Sequence, residues 1–199
     1  MNNFEKIKNN QKENFEYFVN KINSDELSKL VNLIYSHKDN NIYFTGVGKS
    51  NNVALHLVDL FKSIGLKTFH LNLLNLTHGD YGSIKENDLI FFISKSGNTE
   101  EIFKIIKIVN CYKVLICCNH FSKIKTEVDE TYIVPFNQEC DINFKLIPSN
   151  SITNTINYFN YILNLYIVKI NLSIEKYKNY HPSGDIGFRT KKIIDFVNK

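Results

Sequence analysis

The segment SKSGNT, residues 94–99, carries three hydroxyl side chains just where a helix begins. Hydroxyl groups, unpaired backbone N–H groups and the positive end of a helix dipole together bind phosphate without a metal ion or an arginine. Ordinary N-capping by Ser96 or Asn98 would account for one such polar side chain. Three hydroxyls exceed that need, so the segment predicts a phosphate-binding loop formed by Ser94, Ser96 and Thr99.

A second segment, TGVGKS at residues 45–50, resembles two nucleotide-binding motifs but completes neither. A P-loop would need glycine where the chain has Tyr43, and a dinucleotide fingerprint would need its third glycine where the chain has Asn51. The segment still offers Gly48, Lys49 and Ser50 at a tight turn into a helix. From these residues alone, an anion site at the helix start and a simple turn with a solvated lysine are equally favoured.

Proton transfer near neutral pH is a second chemistry that the residues offer. His78 lies in the loop segment THGDYG, where its imidazole is a candidate for proton transfer, and His181 precedes a proline that keeps its ring out of a helix. Glu139 lies in a long loop and would be a good base only with a raised pKa. Glu101 follows the hydroxyl segment by one helical turn, where a carboxylate is also an ordinary complement to the helix dipole.

These candidate residues must be positioned by alternating strand-like and helix-like segments. Two leading helices are predicted at 4–20 and 25–37 from their apolar spacing. The short apolar or β-branched runs that predict strands are Ile42–Thr45, Thr68–Leu71, Leu89–Ser94, Val114–Cys118 and Tyr132–Val134. Five strands with helical crossovers imply an α/β fold with a doubly wound, five-stranded parallel sheet flanked by helices. Ligands bind beyond the carboxyl ends of such strands, so the candidate loops are expected to share one location.

One long helix is predicted to close this pattern at 151–170. Its predicted face consists of Ile152, Ile156, Phe159, Leu163, Tyr166, Ile167 and Ile170. No internal repeat or linker divides the chain, and its length suits one domain. We therefore expect a single domain at 1–199, with N-terminal helices at 1–38, an α/β core at 41–170 and a C-terminal segment at 171–199.

Composition excludes several classes of protein. A hydrophobic fraction of 43% and an aromatic fraction of 13% exclude a disordered chain, and the apolar runs are too short to cross a bilayer. The N-terminus lacks the continuous apolar core of a secretion signal, so a cytoplasmic location is expected. Lysines and carboxylates are interspersed despite a formal charge of +4, which argues against nucleic acid as a partner.

The cysteines also argue against a metal site. Cys111, Cys117, Cys118 and Cys140 contain no CxxC pair, and two of them are adjacent in an apolar run. This arrangement favours buried free thiols over a zinc site or a disulfide framework. Neither a metal nor a cofactor is predicted for this chain.

Six segments of the chain resemble, in the same order, the motifs of the sugar isomerase (SIS) domain family. These segments are GVGKS, THGDYG, ISKSGNTEEI, the Glu139 loop, PSNS and HPSGDIG. The resemblance is greatest to the D-arabinose 5-phosphate isomerases and covers about residues 40 to 190. It implies that D-arabinose 5-phosphate is converted to D-ribulose 5-phosphate by moving a proton between C1 and C2 through a cis-enediol. In bacteria such an enzyme would feed synthesis of the lipopolysaccharide sugar Kdo.

The resemblance also implies roles for the polar residues of the loops. The hydroxyls of the SKSGNT segment would anchor the phosphate, and Ser50 with Ser149 or Ser151 would add hydroxyls from neighbouring loops. Lys49 would orient a sugar hydroxyl or stabilise the developing enediolate. Glu101 would hold Lys49 or a sugar hydroxyl.

The proton-transfer roles are divided among three residues. Transfer within the enediol is assigned to His78 or Glu139 and ring opening to His181, and the choice among them stays open. The histidines outside the family motifs, which are expected to be structural, are His56, His70 and His120.

Two departures bear on substrate and regulation. The motif HPSGDIG carries Ser183 and Asp185 where the family has glycine and a small residue, so this loop is expected to meet a different part of the sugar. Larger family members append CBS repeats, whereas this chain stops at Lys199 and is expected to be a single-domain form. An isomerase of another phosphosugar, such as a hexulose 6-phosphate, and a non-catalytic phosphosugar sensor stay open as alternatives.

The resemblance further implies that copies of the chain assemble into an oligomer. SIS domains commonly form homodimers or homotetramers with active sites at subunit interfaces. His181 is therefore expected to serve the active site of a neighbouring copy.

Overall fold

A computed structural model describes residues 2–197 of the chain. Within these residues the α-helices are α1 (Asn3–Lys21), α2 (Ser24–Ser36), α3 (Lys49–Lys62), α4 (Leu73–Leu76), α5 (Glu100–Ile106), α6 (Asn150–Lys169), α7 (Ile174–Tyr180) and α8 (Gly184–Val197). The strands are β1 (Ile42–Gly46), β2 (Thr68–His70), β3 (Leu89–Ile93), β4 (Tyr112–Cys117) and β5 (Glu130–Ile133). Short 3₁₀ turns at Asp80–Ser83 and Ile124–Glu127 complete the regular structure.

The five strands form one sheet in the order β2-β1-β3-β4-β5, and every neighbouring pair is parallel. The predicted doubly wound parallel sheet is confirmed. From β1 the chain turns to one side to make β2 and then crosses to the other side to make β3. The order therefore reverses between β1 and β3, and a crevice opens beyond their carboxyl ends. The loops after these two strands are TGVGKS and SKSGNT, so the topology places both at the crevice.

The central strands are apolar because helices cover both faces of the sheet. All five residues of β1 and of β3 are buried, as is typical of parallel strands. On one face Phe44 stacks on Phe91 with ring centroids 4.9 Å apart, and Phe159 of α6 meets both rings edge-on. This cluster fixes α6 against the sheet, which in turn positions the loop that precedes α6.

Strands β4 and β5 each begin two residues before their predicted starts and end one residue before their predicted ends. β5 begins at Glu130 rather than at Tyr132, because Val114 of β4 already pairs with Glu130. A search for apolar runs misses a carboxylate at a strand start. Glu130 accepts hydrogen bonds from the hydroxyls of Tyr112 and Tyr132, so the carboxylate belongs to the sheet edge.

Helix α6 is present, but its buried face differs from the predicted one. The buried residues are Asn150, Ser151, Asn154, Thr155, Tyr158, Phe159, Ile162 and Tyr166. Five of the seven predicted residues are only partly buried, namely Ile152, Ile156, Leu163, Ile167 and Ile170. All seven residues pack in or against the main core, but the prediction was incomplete because it followed apolar residues alone, whereas the first turns of α6 turn polar side chains inward.

A seam of asparagines joins α1 to this polar part of α6. Asn14 and Asn154 are 2% and 1% exposed, and the amide of Asn14 donates to Asn154 Oδ1 at 2.9 Å. Asn154 Nδ2 also donates to the carbonyl of Pro135 at 2.9 Å. One turn earlier, Asn150 Nδ2 donates to Asn10 Oδ1 at 3.0 Å. These bonds satisfy buried amides and fix α1 against the loop before α6.

Replacing Asn14 by alanine is expected to lower the free energy of unfolding by about 1–3 kcal/mol, because Asn154 would lose its buried amide partner. Urea denaturation at neutral pH measures this loss. Asn20→Ala, on an exposed position of the same helix, is the matched control and should change the stability by less than about 0.5 kcal/mol. Equal stabilities for the two variants would show that the seam adds nothing.

The C-terminal helices lie outside the main core. Among the described residues α8 packs chiefly on α7, and Thr190 is its one buried residue. Its large exposed apolar side chains are Ile186, Phe188, Ile193, Phe196 and Val197. No helix within residues 2–197 combines the length and apolar character needed to cross a membrane.

Candidate active site

The hydroxyl segment leaves β3 and turns sharply at Gly97. This glycine has φ +62°, and a Cβ there would clash with the hydroxyl of Ser122. Ser94 Oγ lies 2.7 Å from Thr99 Oγ1 and accepts the backbone N–H of Gly97 at 3.1 Å. The structure thus brings two of the three predicted hydroxyls together directly before α5.

N-capping does not occupy these groups. Ser96 Oγ accepts the N–H of Asn98 at 3.1 Å, and Asn98 Oδ1 accepts the N–H of Lys123 at 2.8 Å. Thr99 stands at the cap position of α5 but makes no side-chain capping bond. Within the described residues the first turn of α5 therefore has no side-chain cap, and its N–H groups are available to an anion.

The TGVGKS segment makes a close turn from β1 into α3. A Cβ at Gly46 would lie 2.8 Å from the backbone carbon of Ser50 and 3.0 Å from the carbonyl oxygen of Ile93, so only glycine permits this approach. Gly48 stands at the cap position of α3 with φ +58° and no side-chain capping bond. Lys49 is the first residue of α3 and is exposed. A second uncapped helix start therefore lies beside the first.

A cleft of about 330 Å³ opens at the TGVGKS turn and reaches α5. Its walls are formed by Gly46, Val47, Gly48, Asn51, Asn72, Leu73, Leu74 and Glu101. Glu101 lies in the first turn of α5 and enters the cleft from the side of the hydroxyl segment. The structure thus brings the loop of β1, the start of α4 and the Glu101 carboxylate to one space.

A histidine forms a hydrogen bond with one residue of the cleft wall, Asn51. His70 Nε2 lies 2.6 Å from Asn51 Oδ1, and because that oxygen can only accept, Nε2 carries the hydrogen. Burial lowers the pKa of His70, so its ring is neutral near pH 7. The predicted structural role of His70 agrees with this contact, which orients the Asn51 amide at the cleft.

Glu139 lies beneath the start of α6 and is 0% exposed. Its Oε2 accepts the N–H groups of Ser149 at 2.9 Å and Ser151 at 3.1 Å, and Lys95 Nζ lies 2.7 Å from its Oε1. Burial pushes the pKa of Glu139 upward, but hydrogen bonds from Lys95, the Ser151 hydroxyl and the α6 backbone outweigh burial and place it below its ordinary value. Held in this way, the carboxylate caps α6 and is a weak base.

The two serines after Pro148 are engaged by this carboxylate. The Ser151 hydroxyl is buried and donates to Glu139 Oε1. Ser149 Oγ accepts the N–H of Cys140 at 3.0 Å and lies 3.4 Å from Glu139 Oε2. Their predicted contact with phosphate would therefore require these bonds to break.

The SIS domain family matches residues 34–158, which is more than half of the chain and spans the loops just described. This chain belongs to the SIS family. An uncharacterized protein of Chlamydia pneumoniae is 30% identical over 191 residues, covering 94% of this chain and 57% of the relative. The arabinose 5-phosphate isomerase KpsF of Escherichia coli is 27% identical over 172 residues, covering 84% of this chain and 53% of the relative.

A solved structure supports the same assignment. The structure of an Escherichia coli protein in complex with arabinose 5-phosphate matches this SIS chain with a TM-score of 0.81 and 26% sequence identity. The match covers 92% of this chain and 100% of that one. The chain spans just over half the length of the curated relatives above.

The two candidate histidines of this SIS chain lie in different places. His78 is exposed and follows α4 closely, near the cleft residues Leu73 and Leu74 but not in the cleft wall. His181 follows α7, whose Tyr180 packs on Gly65 in the loop that leads into β2. That loop lies at the amino edge of the sheet, roughly 15 Å, or one five-residue strand, from the carboxyl edge. Within one protomer, His181 is therefore not brought to the cleft.

Lys95 is the site residue that the sequence prediction missed. It lies between two hydroxyl residues of the SKSGNT segment, and its ammonium reaches Glu139 and lies 4.9 Å from the centre of the Phe136 ring. The signal for it in the sequence is a lysine inside a segment whose hydroxyls alone predict a phosphate loop. Asn51, which stands where a dinucleotide fingerprint would have glycine, also lines the cleft and is not among the predicted site residues.

Proposed function

We propose that this SIS chain is an aldose–ketose isomerase that interconverts D-arabinose 5-phosphate and D-ribulose 5-phosphate. The observation that carries the proposal is the cleft at the switch point of the sheet, which has in its wall Glu101, two residues beyond the hydroxyl segment in the chain. The arabinose 5-phosphate bound to the related Escherichia coli protein and the named activity of KpsF support the choice of substrate.

In the proposed complex the phosphate lies at the start of α5. Ser94, Ser96 and Thr99 supply hydroxyls, and the uncapped first turn of α5 supplies backbone N–H groups. Gly97 lets the backbone turn closely around the phosphate. Because the phosphate does not react, its binding energy serves to hold C1 and C2 of the sugar in the adjoining cleft.

The reaction moves one proton between carbons, from C2 to C1, and one between oxygens, from O2 to O1. A base removes the proton from C2 of the open-chain aldose, which gives a cis-enediolate, and O1 takes up the proton that O2 gives up. A proton is then delivered to C1 as O2 becomes the ketose carbonyl. Lys49 at the start of α3 supplies positive charge to the enediolate oxygens, and Glu101 binds a sugar hydroxyl or Lys49. His78 and Glu139 are the candidates for the base, and His181 is the candidate for ring opening.

An assay of ketose formation by the purified chain tests this proposal. D-arabinose 5-phosphate, D-ribose 5-phosphate, D-glucose 6-phosphate and a hexulose 6-phosphate are offered separately, and turnover of the first is expected to be fastest. Faster turnover of another sugar would support an isomerase with a different substrate. Tight phosphosugar binding without any turnover would support a sensor instead.

We further propose that His181 acts on the cleft of a second copy. It lies at the opposite edge of the sheet from the cleft of its own protomer, and α8, which follows it, exposes an apolar face. His181 Nδ1 donates to the carbonyl of Tyr177 at 3.0 Å, because that oxygen can only accept. In the proposal, Nε2 is then the ring nitrogen that exchanges a proton with the sugar.

Mixing two inactive variants is expected to restore activity if sites are shared between copies. Glu101→Gln and His181→Ala, each inactive alone, would be co-refolded in equal amounts. In a dimer about a quarter of the sites would then combine an intact Glu101 with an intact His181, giving about a quarter of wild-type turnover. Sedimentation of the unmixed variants checks that both still assemble. No recovery in assembled mixtures would mean that His181 does not serve a second copy.

A further inference from the structure

The ion pair between Lys95 and Glu139 joins the hydroxyl segment to the start of α6. Its two partners differ in their access to solvent, since the side chain of Lys95 is 36% exposed and that of Glu139 is 0% exposed. Within residues 2–197, Lys95 is the one cation at ion-pair distance from Glu139. The lysine can therefore move towards a new partner, whereas the carboxylate is fixed under α6 by the bonds from Ser149 and Ser151.

A phosphate bound at the SKSGNT segment would compete for this lysine. A sugar phosphate carries nearly two negative charges near neutral pH, against one on Glu139. Lys95 lies between Ser94 and Ser96, so its backbone belongs to the segment that would receive the phosphate. If the ammonium moves to the phosphate, Glu139 keeps its hydrogen bonds but loses its counter-charge. A buried carboxylate without a counter-charge binds a proton much more readily.

We propose that Lys95 is a positioning residue whose ammonium transfers from Glu139 to the phosphate of the bound sugar, so that phosphate binding converts Glu139 from an ion-paired carboxylate into a proton acceptor. This inference rests on the proposed function, because it needs a phosphosugar at the SKSGNT segment. The sequence predicts Glu139 as a candidate base, whereas in the structure its carboxylate is ion-paired and caps α6. The transfer of Lys95 would reconcile these two roles. The base becomes available only when substrate is bound, and the proton that it accepts is the one on C2.

The other titratable groups around Glu139 do not replace Lys95. Burial raises the pKa of Cys118, directly after β4, to about 12, and it also raises that of Cys140, so both thiols are neutral near pH 7. Asp141 is directed away into its own loop, where its carboxylate accepts four backbone N–H groups. From α1 the nearby group is the neutral side chain of Gln11, which bonds Cys140. The protonation of Glu139 therefore depends on Lys95 above all.

Infrared titration of the full chain, with inorganic phosphate as the probe, tests the inference without requiring turnover. The carboxyl band of Glu139 is assigned by its loss in Glu139→Gln. Saturating phosphate is expected to raise the pH at which this band is half-titrated, the Glu139 midpoint, by about 1–3 pH units in the wild type. In Lys95→Met the midpoint should already be raised and should not respond to phosphate. Lys95→Arg should keep the response, and Lys104→Met, on an exposed position of α5, should behave as wild type.

The result that overturns the inference is a Glu139 midpoint that stays the same in the wild type with and without bound phosphate. If Lys95→Met fails to fold, the wild type and Lys95→Arg still decide, because both must show the shift. A shift without turnover of any phosphosugar would contradict the proposed function alone, and turnover without a shift would contradict the role of Lys95 alone. Absence of phosphate binding would contradict both.

The pH dependence of the steady-state kinetics tests the role of Lys95 independently of the infrared titration. The pH profile of kcat reports the substrate complex and that of kcat/KM the free enzyme. The acid limb of kcat is therefore expected at higher pH than that of kcat/KM in the wild type, and the two limbs should coincide in Lys95→Met. Coinciding limbs in the wild type would oppose the inference.

Discussion

Replacing Gly97 by alanine is expected to reduce kcat/KM for phosphosugar turnover by about 100-fold or more, because the hydroxyl segment can no longer hold its turn. The residue has φ +62°, a conformation that disfavours a side chain, and the added Cβ would clash with the hydroxyl of Ser122. Together these effects should lower the free energy of unfolding by about 2–5 kcal/mol. Steady-state kinetics and urea denaturation measure the two losses separately.

Two variants identify the cause of the Gly97→Ala effect. Gly82→Ala adds a Cβ with no heavy atom within 4 Å and no positive φ, so it should leave both properties near wild type. Adding Ser122→Gly to Gly97→Ala removes the steric clash but not the backbone strain, and it should recover part of the stability. Wild-type kinetics in Gly97→Ala would show that the segment does not bind the substrate.

Replacing Glu139 by glutamine is expected to destabilise the chain by about 3–5 kcal/mol at pH 7, because Lys95 would lose its charge partner and the cap of α6 would lose an acceptor oxygen. The amide nitrogen that replaces one oxygen would face the N–H groups of Ser149 and Ser151 or the ammonium of Lys95, all of which are donors. Turnover should fall by about 10²–10⁴-fold if Glu139 transfers the proton. Denaturation curves and kinetics of the same preparation test both effects.

The loss of stability in Glu139→Gln should depend on pH in a defined direction. The pKa of Glu139 is lowered in the folded chain from the ordinary value of 4.5. Its contribution is therefore fully present above about pH 4.5 and disappears as the pH falls through the lowered folded value. The difference between wild type and variant should accordingly shrink in acid.

An exposed carboxylate supplies the control for this prediction. Glu16 pairs with Lys12 at 3.7 Å on the surface of α1, and Glu16→Gln should cost less than about 1 kcal/mol. A constant difference between Glu139→Gln and wild type across the acid range would contradict the assignment of the buried charge.

The fold was largely predictable because its signals are local. Buried parallel strands are short apolar runs, and the helix-length segments between them force crossovers, so the five-stranded parallel sheet followed directly. The start of β5 and the buried face of α6 did not follow. In both places polar residues belong to the packed structure, Glu130 at the sheet edge and Asn154 in the interior, because partners distant in sequence satisfy their hydrogen bonds. A pattern of apolar residues contains no information about such partners.

The candidate site was likewise predictable from the sequence only where its signals are local. Glycines and hydroxyls at a strand–helix turn indicate an anion site on their own, since backbone geometry and free N–H groups are local properties. The state of Glu139 is not local, because it depends on Lys95, far away in the sequence, and on the start of α6. The location of His181 depends on how α7 packs against the loop before β2.

The sequence by itself therefore determined the sheet, the hydroxyl segment and the family resemblance, because each is written in short runs of adjacent residues. Tertiary structure alone decided which charges meet. It placed Glu101 in the cleft, joined Lys95 to a buried Glu139 and separated His181 from both. The physical reason is that an ion pair or a buried hydrogen bond depends on distance in space, which the order of residues does not contain.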